Sequence, residues 1–391
     1  MNIDKVFYDN LLKNLFTDPC EVKYWDGEIK QYGVGDAQFR IEFIEPIAKS
    51  EIINDPSLAF GEGYMFNKFD IVGNVQKVLE SINNNQEGFM NQKKPYVKLV
   101  KILSNSIRKA KEDVQFHYDI GNDFYRLWLD ETMSYSCAYF KSPEDDLFQA
   151  QKNKVSHILR KLNLQPGQTL LDIGCGWGEL ILTAAKAYQV KALGITLSTE
   201  QYSRVLERIK NEELQDLVEV QQIDFRELKD RTFDRVVSVG MIEHVGKGNI
   251  NGYFSAVKSL LKEDGVSLLH SITSYDGVGT NSWIDKYIFP GGYIPSMHEL
   301  VSLITANKFC LIDLESLRQH YTKTLEHWAQ NFEHALPEIE KMKDETFIRM
   351  WRLYLNSCAA SFHGGINDVH QFLFTNGANN TWPLTRAYIH A

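Results

Sequence analysis

Beyond residue 165, short apolar segments alternate with helix-patterned ones, and this alternation limits the fold more than any other feature of the 391-residue chain. Residues 169–173, 190–195, 218–222, 235–239 and 265–272 read as strands, while 179–188, 199–211 and 253–261 read as helices between them. Strands joined by crossover helices pair in parallel, with the helices covering both faces of the sheet. Ligands of such sheets sit at the carboxyl ends of the strands. The expected fold class is α/β, Rossmann-like, with a mostly parallel sheet.

The region before residue 90 has a different character. Segments 21–35 and 37–45 carry strand-type residues, Asp26-Gly27 suits a hairpin turn, and 71–82 reads as a helix. A polar, turn-rich stretch at 86–95 marks a boundary. The expected organisation is a small N-terminal α+β domain at 1–90, a basic linker helix at 91–114 and a catalytic domain at 115–391. Net charge is −9, which disfavours nucleic acid as a partner. Yet Lys93, Lys94, Lys98, Lys101, Arg108, Lys109 and Lys111 occur in one stretch without an acidic residue. Tyr96, Leu99, Val100, Leu103, Ile107 and Ala110 recur through it at helical spacing. Such a segment suits either a membrane surface or an interdomain helix with solvated lysines. No apolar run reaches the ~18 residues of a membrane span, and Met1-Asn2-Ile3-Asp4-Lys5 does not begin a secretory signal. Cys20, Cys137, Cys175, Cys310 and Cys358 are scattered without metal-ligand spacing, as in a cytosolic protein with reduced thiols. His363, Asp368 and His370 fit no standard metal site either, so no metal is expected.

The strongest local motif, Leu170-Leu171-Asp172-Ile173-Gly174-Cys175-Gly176-Trp177-Gly178, ends the first strand and opens a helix. Its GxGxG spacing is not the dinucleotide pattern, and no Lys-Ser/Thr follows to make a phosphate loop. An acid before the glycines, Asp172, and an acid after the third strand, Asp224, suit S-adenosylmethionine. The second strand ends Gly194-Ile195-Thr196-Leu197-Ser198-Thr199-Glu200-Gln201 without the acid that usually holds the ribose; Gln201 is the substitute.

That departure, with further motifs, resembles the cyclopropane fatty acyl phospholipid synthases and the related mycolic acid cyclopropane synthases. The matching runs include His117-Tyr118-Asp119-Ile120-Gly121-Asn122-Asp123, Tyr135-Ser136-Cys137-Ala138-Tyr139-Phe140, Gly240-Met241-Ile242-Glu243-His244-Val245-Gly246, Gly265 to His270, and Tyr321-Thr322-Lys323-Thr324-Leu325. The resemblance covers about 115–375. Asp55 to Met65 is similar to the N-terminal domain of the phospholipid-acting members.

The resemblance implies a class I S-adenosylmethionine-dependent methyltransferase fold and a reaction. A methylene passes from S-adenosylmethionine to a cis double bond in a membrane phospholipid, through a carbocation deprotonated by bound bicarbonate. Tyr135, Ser136, Asp172, Gly174, Gly176, Thr196, Gln201, Asp224, Phe225 and Arg226 would contact the cofactor. Cys137, Glu243, His270 and Tyr321, with backbone near Ile272, would hold bicarbonate, and Cys358 occupies a position treated in the family as a candidate catalytic thiol. Tyr275, Trp283, Tyr287, Phe289 and Tyr293 are candidates for an acyl tunnel. The phospholipid-acting relatives imply a homodimer and a place on the cytoplasmic face of the cell membrane. Rival readings are a methyl-branched or hydroxylated lipid from the same cation, methylation of a small soluble acceptor, and a non-catalytic lipid carrier.

Overall fold

The computed structural model describes residues 3–85, 120–275, 277 and 280–390. The basic stretch 93–111, the linker helix expected at 91–114, and His117, Tyr118 and Asp119 lie outside the described residues. Contacts divide the chain into two compact units. One contains the described residues up to 85 together with Asn281–Ile288 and Leu325–Ile366; the other contains the remainder. The stretch expected as one catalytic domain at 115–391 therefore lends two segments to the N-terminal module.

The first unit carries a four-stranded sheet in the order β2-β1-β3-β4. Its strands are β1 (Cys20–Lys23), β2 (Ile29–Tyr32), β3 (Phe39–Phe43) and β4 (Phe69–Val72). The expected hairpin forms between β1 and β2, with Gly27 at φ +88° and its N–H donating to Tyr24 O at 2.9 Å. The helix expected from residue 71 begins later, at Val75–Asn83. Ile71 and Val72 pair with β3 instead. Gly73 at φ +123° turns the chain, and the Asn74 side chain accepts from Lys77 N–H at 3.0 Å to cap the helix. Turn residues, not apolar periodicity, set that boundary.

The helix Glu345–His363 packs on Val75–Asn83 and Pro56–Met65 within this unit. Buried Arg349 donates to Tyr64 O at 2.6 Å and Phe69 O at 2.9 Å, and its guanidinium lies 4.1 Å from the Tyr64 ring centre. Trp283 packs where Gly61 leaves room for its ring, and its Nε1–H donates to Met65 Sδ at 3.0 Å.

The second unit is built on a seven-stranded sheet ordered β10-β11-β9-β8-β5-β6-β7. The strands are β5 (Thr169–Ile173), β6 (Lys191–Thr196), β7 (Val218–Gln222), β8 (Phe233–Val239), β9 (Leu261–Ser274), β10 (Cys310–Ser316) and β11 (Asn367–Thr375). β7, β6, β5, β8 and β9 are parallel, as expected, and β11 is antiparallel to both β9 and β10. Neighbouring residues feed opposite cores: Leu170 joins Ile181, Ala185 and Val205, whereas Leu171 joins Leu193, Phe254 and Leu269. From β5 the chain moves outward to β6 and β7 and then returns to β8. This reversal opens a crevice at the carboxyl ends of β5 and β8.

Arg349→Leu removes a donor from each of two buried carbonyls. Tyr64 O keeps Asn67 N–H at 3.2 Å, so the larger cost falls on Phe69 O, and with about 1–3 kcal/mol for such a loss urea unfolding should show a decrease of roughly 1–3 kcal/mol. A loss below about 0.5 kcal/mol shows that the first unit does not depend on the guanidinium.

Candidate active site

A cavity occupies that crevice. Tyr135, Ser136, Asp172, Gly174, Gly176, Thr196, Gln201, Asp224, Phe225 and Arg226 all line it. They arrive from the loop before the helix Leu147–Lys161 and from the ends of β5, β6 and β7.

The turn after β5 forms one wall. The N–H groups of Gly174 and Cys175 both donate to Ile195 O, each at 3.0 Å, so the turn is pinned to β6. Gly174 sits at φ +85°, and a Cβ there would approach Met241 Cγ to 2.9 Å. Gly176, at φ +55°, has no atom within 4 Å of where its Cβ would stand. Bare backbone therefore faces the cavity, as close approach by a ligand requires. Cys175 is packed, and burial pushes its thiol well above the usual range.

Asp172 is 3% exposed, and its Oδ1 has no hydrogen-bond partner among the described residues. Burial pushes its carboxyl up to about 7, against the pull of the Lys154 charge. Gln201 Oε1 accepts from Thr196 Oγ1 at 2.7 Å, a bond that leaves the amide nitrogen uncommitted. Arg226 grips both Asp224 oxygens at 2.7 Å, and its guanidinium lies 5.6 Å from the Phe225 ring centre. Each Asp224 oxygen keeps acceptor capacity for an adenine amino group. Lys154, Glu179, Met241 and His244 also line the cavity and were not singled out from the sequence. Burial pushes the His244 imidazole down to about 4, so it is neutral at neutral pH.

Of the residues expected to hold bicarbonate, Glu243 and His270 are tied to β9, Cys137 and Tyr321 are tied to the Leu317 carbonyl, and none of the four is among the cavity-lining residues. Glu243 follows β8 in a short 3₁₀ turn, Ile242–His244, and its Oε1 accepts from Ile272 N–H at 2.6 Å. Its Oε2 is buried without a partner among the described residues. Burial lifts this carboxyl to about 7, while the Ile272 N–H works in the opposite direction. The Ile272 N–H, expected beside the ion, thus holds Glu243 instead. His270 lies two residues earlier on β9, and its Nδ1 is 3.2 Å from Gln371 Nε2; with the amide in this orientation Nδ1 accepts and Nε2 carries the ring proton. Burial and the charges of Lys154 and Lys161 push His270 down to about 3, so it is a neutral donor. Ile272 pairs with Val369, whose carbonyl accepts from Leu317 N–H at 2.7 Å. The Leu317 carbonyl in turn accepts from Tyr321 N–H at 3.0 Å and lies 3.9 Å from Cys137 Sγ. One cross-strand row therefore links Glu243 to Cys137 and Tyr321. Cys137 donates to Ala138 O at 3.3 Å, and burial holds it as a thiol.

Cys358 belongs to the other unit. It lies on the helix Glu345–His363, in the first unit, and does not line the cavity. Burial pushes its thiol up to about 12, so no thiolate stands there at neutral pH. The aromatic candidates divide: the Phe289 ring centre lies 5.6 Å from that of His244 and Tyr293 N–H donates to Glu243 O at 2.8 Å, while the others lie elsewhere. Trp283 and Tyr287 pack in the first unit, where Tyr287 donates to Glu62 at 2.8 Å. Tyr293 donates to Glu299 at 2.8 Å, and Tyr275 is 80% exposed. None of the five lines the cavity.

A family model described as mycolic acid cyclopropane synthetase matches residues 105–372. The chain belongs to this family. It is an S-adenosylmethionine-dependent methyltransferase, and the bare glycine backbone and unpartnered Asp172 oxygen suit that cofactor. A second model, for a domain of unknown function (DUF7884), matches residues 7–94. A probable fatty acid methyltransferase of Pseudomonas putida is 38% identical over 363 residues, 91% of each protein. The cyclopropane-fatty-acyl-phospholipid synthase of Escherichia coli K12 is 36% identical over 359 residues, covering 90% of this chain and 92% of that one. The solved structure of a mycolic acid cyclopropane synthase complexed with SAH and CTAB superposes with a TM-score of 0.65 at 36% identity. It covers 68% of this chain and 98% of that protein.

The buried Asp172 gives a pH test. Its folded value of about 7 exceeds the unfolded value, so ionisation in the ligand-free protein lowers stability as pH rises from about 4 to about 7. Asp172→Asn removes that cost. Its stability relative to wild type should improve by roughly 2 kcal/mol between pH 5 and pH 8, measured by urea unfolding without ligand. A difference that does not change with pH assigns Asp172 an ordinary carboxylate value.

Proposed function

We propose that this family member converts the cis double bond of unsaturated acyl chains in membrane phospholipids into a cyclopropane ring. The observation that carries the reading is the Glu243–His270 end of the sheet. There Glu243 Oε2 is buried without a hydrogen-bond partner among the described residues, Oε1 is held by Ile272 N–H two residues beyond His270 on β9, and the neighbours Met241 and His244 line the cofactor cavity. A phospholipid is favoured because the Escherichia coli relative matches 90% of the chain, N-terminal module included. The mycolic structure matches 68%.

When bound, S-adenosylmethionine supplies an electrophilic sulfonium methyl. An alkene is a weak nucleophile, so the protein's first task is to hold the two in line. Methyl transfer leaves positive charge on the adjacent carbon, and loss of a proton from the added methyl closes the ring. Bicarbonate held by Cys137, Glu243, His270 and Tyr321 would supply the base. Glu243 Oε1 is anchored on Ile272 N–H, which leaves Oε2 to accept the ion's hydroxyl proton. His270 Nε2–H and the Tyr321 hydroxyl serve as donors to its oxygens. Together they fix one orientation of a small polar ion beside an apolar chain.

Among the described residues no helix is long and apolar enough to cross a membrane. The lipid would be reached peripherally, from the cytoplasmic face, through the basic stretch 93–111. The N-terminal module would also join two copies as a homodimer.

Glu243→Gln keeps size but removes the acceptor charge. Cyclopropane formation from labelled S-adenosylmethionine and unsaturated phospholipid vesicles, read by mass spectrometry, should fall about 10²–10⁴-fold, while cofactor binding persists. Added bicarbonate restores part of the rate if affinity for the ion is what was lost. Misorientation instead yields methyl-branched or hydroxylated products. Wild-type product formation at an unchanged rate in the mutant removes Glu243 from the mechanism.

Changing Lys93, Lys94, Lys98 and Lys101 to Gln should weaken binding to anionic vesicles by roughly 1 kcal/mol per residue. Activity on detergent-dispersed lipid should fall less. Unchanged vesicle binding without salt dependence returns the segment to an interdomain role.

A further inference from the structure

The helix Leu147–Lys161 turns a polar stripe inward: Gln151, Lys154, His157 and Lys161 are all buried. The two lysines on this stripe are treated differently. Lys161, 1% exposed, is closed by Asp313 at 3.1 Å and Glu315 at 2.6 Å. Lys154, 5% exposed, faces the cofactor cavity, and among the described residues no carboxylate comes within ion-pair distance of it. Its hydrogen-bond partner is Ser136 Oγ at 2.9 Å. An ammonium has three donors, and a buried charge without a counter-ion is costly. Asp130 acts on Lys154 only through space: its oxygens are held by Thr132 N–H at 2.9 Å, Thr132 Oγ1 at 2.6 Å and Ser134 N–H at 3.1 Å, and none lies within ion-pair distance of the ammonium.

We infer that Lys154 is the binding site for the α-carboxylate of the cofactor's amino-acid tail; this rests on the S-adenosylmethionine reading of the cavity. That tail carries one carboxylate and one ammonium. The cavity wall offers two cations, Arg226, which is paired with Asp224, and Lys154, which has no carboxylate within ion-pair distance among the described residues; it also offers one carboxylate with an unpartnered oxygen, Asp172. Opposite charges sort the tail into a single orientation. Ser136 supports the same end: its oxygen accepts from Lys154, which leaves its O–H to donate to the carboxylate. The backbone donors at the start of the glycine turn cannot take that role. Gly174 and Cys175 N–H are both spent on Ile195 O.

The test compares two ligands that differ only in the carboxylate, S-adenosylmethionine and decarboxylated S-adenosylmethionine. Binding to the full chain is measured by calorimetry without lipid. Wild type should prefer the intact cofactor by roughly 10–100-fold, the range of a charged hydrogen bond. Lys154→Met should lose that preference, with little change in affinity for the decarboxylated ligand. A Lys154→Met protein that keeps the wild-type preference overturns the proposal, as does a wild type that never had one. Should Lys154→Met not fold, Lys154→Gln carries the same comparison with the same overturning result. If wild type binds neither ligand, the S-adenosylmethionine reading itself fails, a result distinct from binding both ligands equally.

Discussion

The chain leaves β5 through a left-handed turn, and the site depends on where that turn is fastened. Two successive N–H groups converge on Ile195 O, so the ends of β5 and β6 cannot move apart without losing both bonds. Met241, from the loop after β8, packs against the face that Gly174 leaves bare. Three loops that are distant in sequence are thereby held to one position. A side chain at Gly174 would strain the backbone and displace Met241 together. The turn thus does more than admit a ligand: it sets the spacing between the residues that contact one.

Around this frame the protein keeps polar groups that its own interior does not satisfy. Asp172 Oδ1 and Glu243 Oε2 are both buried without partners among the described residues, and Lys154 has no carboxylate in ion-pair range. Native interiors usually satisfy such groups, and exceptions call for a cause. Here they fall into two sets. Asp172 and Lys154 bear opposite charges on one cavity wall, which suits a zwitterionic tail. Glu243 stands with His270 at the end of β9, an acceptor beside a neutral donor, which suits a small protic ion. Under the proposed function each set would be completed by a ligand, which accounts for the cost the fold carries.

The parallel sheet was legible in the sequence because its strands are buried on both faces and so read as short, nearly continuous apolar runs. β5, β7 and the helices Glu179–Tyr188 and Thr199–Asn211 lie where the pattern places them. The glycine turn and the cavity residues were legible through motif and resemblance. Other features were not. An apolar helical face states that something covers it but not what, so nothing in Glu345–His363 announced that it packs on helices some 280 residues earlier. Trp283 and Tyr287 carry the same ambiguity, and their partners are Met65 and Glu62. Lys154 was passed over because a lysine in an amphipathic helix ordinarily lies in water. The available signal was its phase: Gln151, Lys154 and Lys161 share a face with apolar Ile158 and Leu162, and isolated polar residues on a core-facing stripe mark a buried polar seam.

The protonation states of the site restrict which chemistry it can host. Burial keeps Cys137 and Cys358 as thiols and leaves His244 and His270 neutral. None of these offers a ready anion to trap a carbocation. A thiolate near such a cation would end the reaction in a thioether, so in the proposed reaction burial of the Cys137 thiol would protect the intermediate. Glu243, like Asp172, is lifted by burial to about 7 and so is poised to change charge near neutral pH. Its Oε1 is occupied by the Ile272 N–H, which makes direct attack through that oxygen unfavourable and turns the side chain into a holder. In the proposed reaction burial of these groups would suppress capture of the cation, and a base oriented by Glu243 and His270 would favour ring closure.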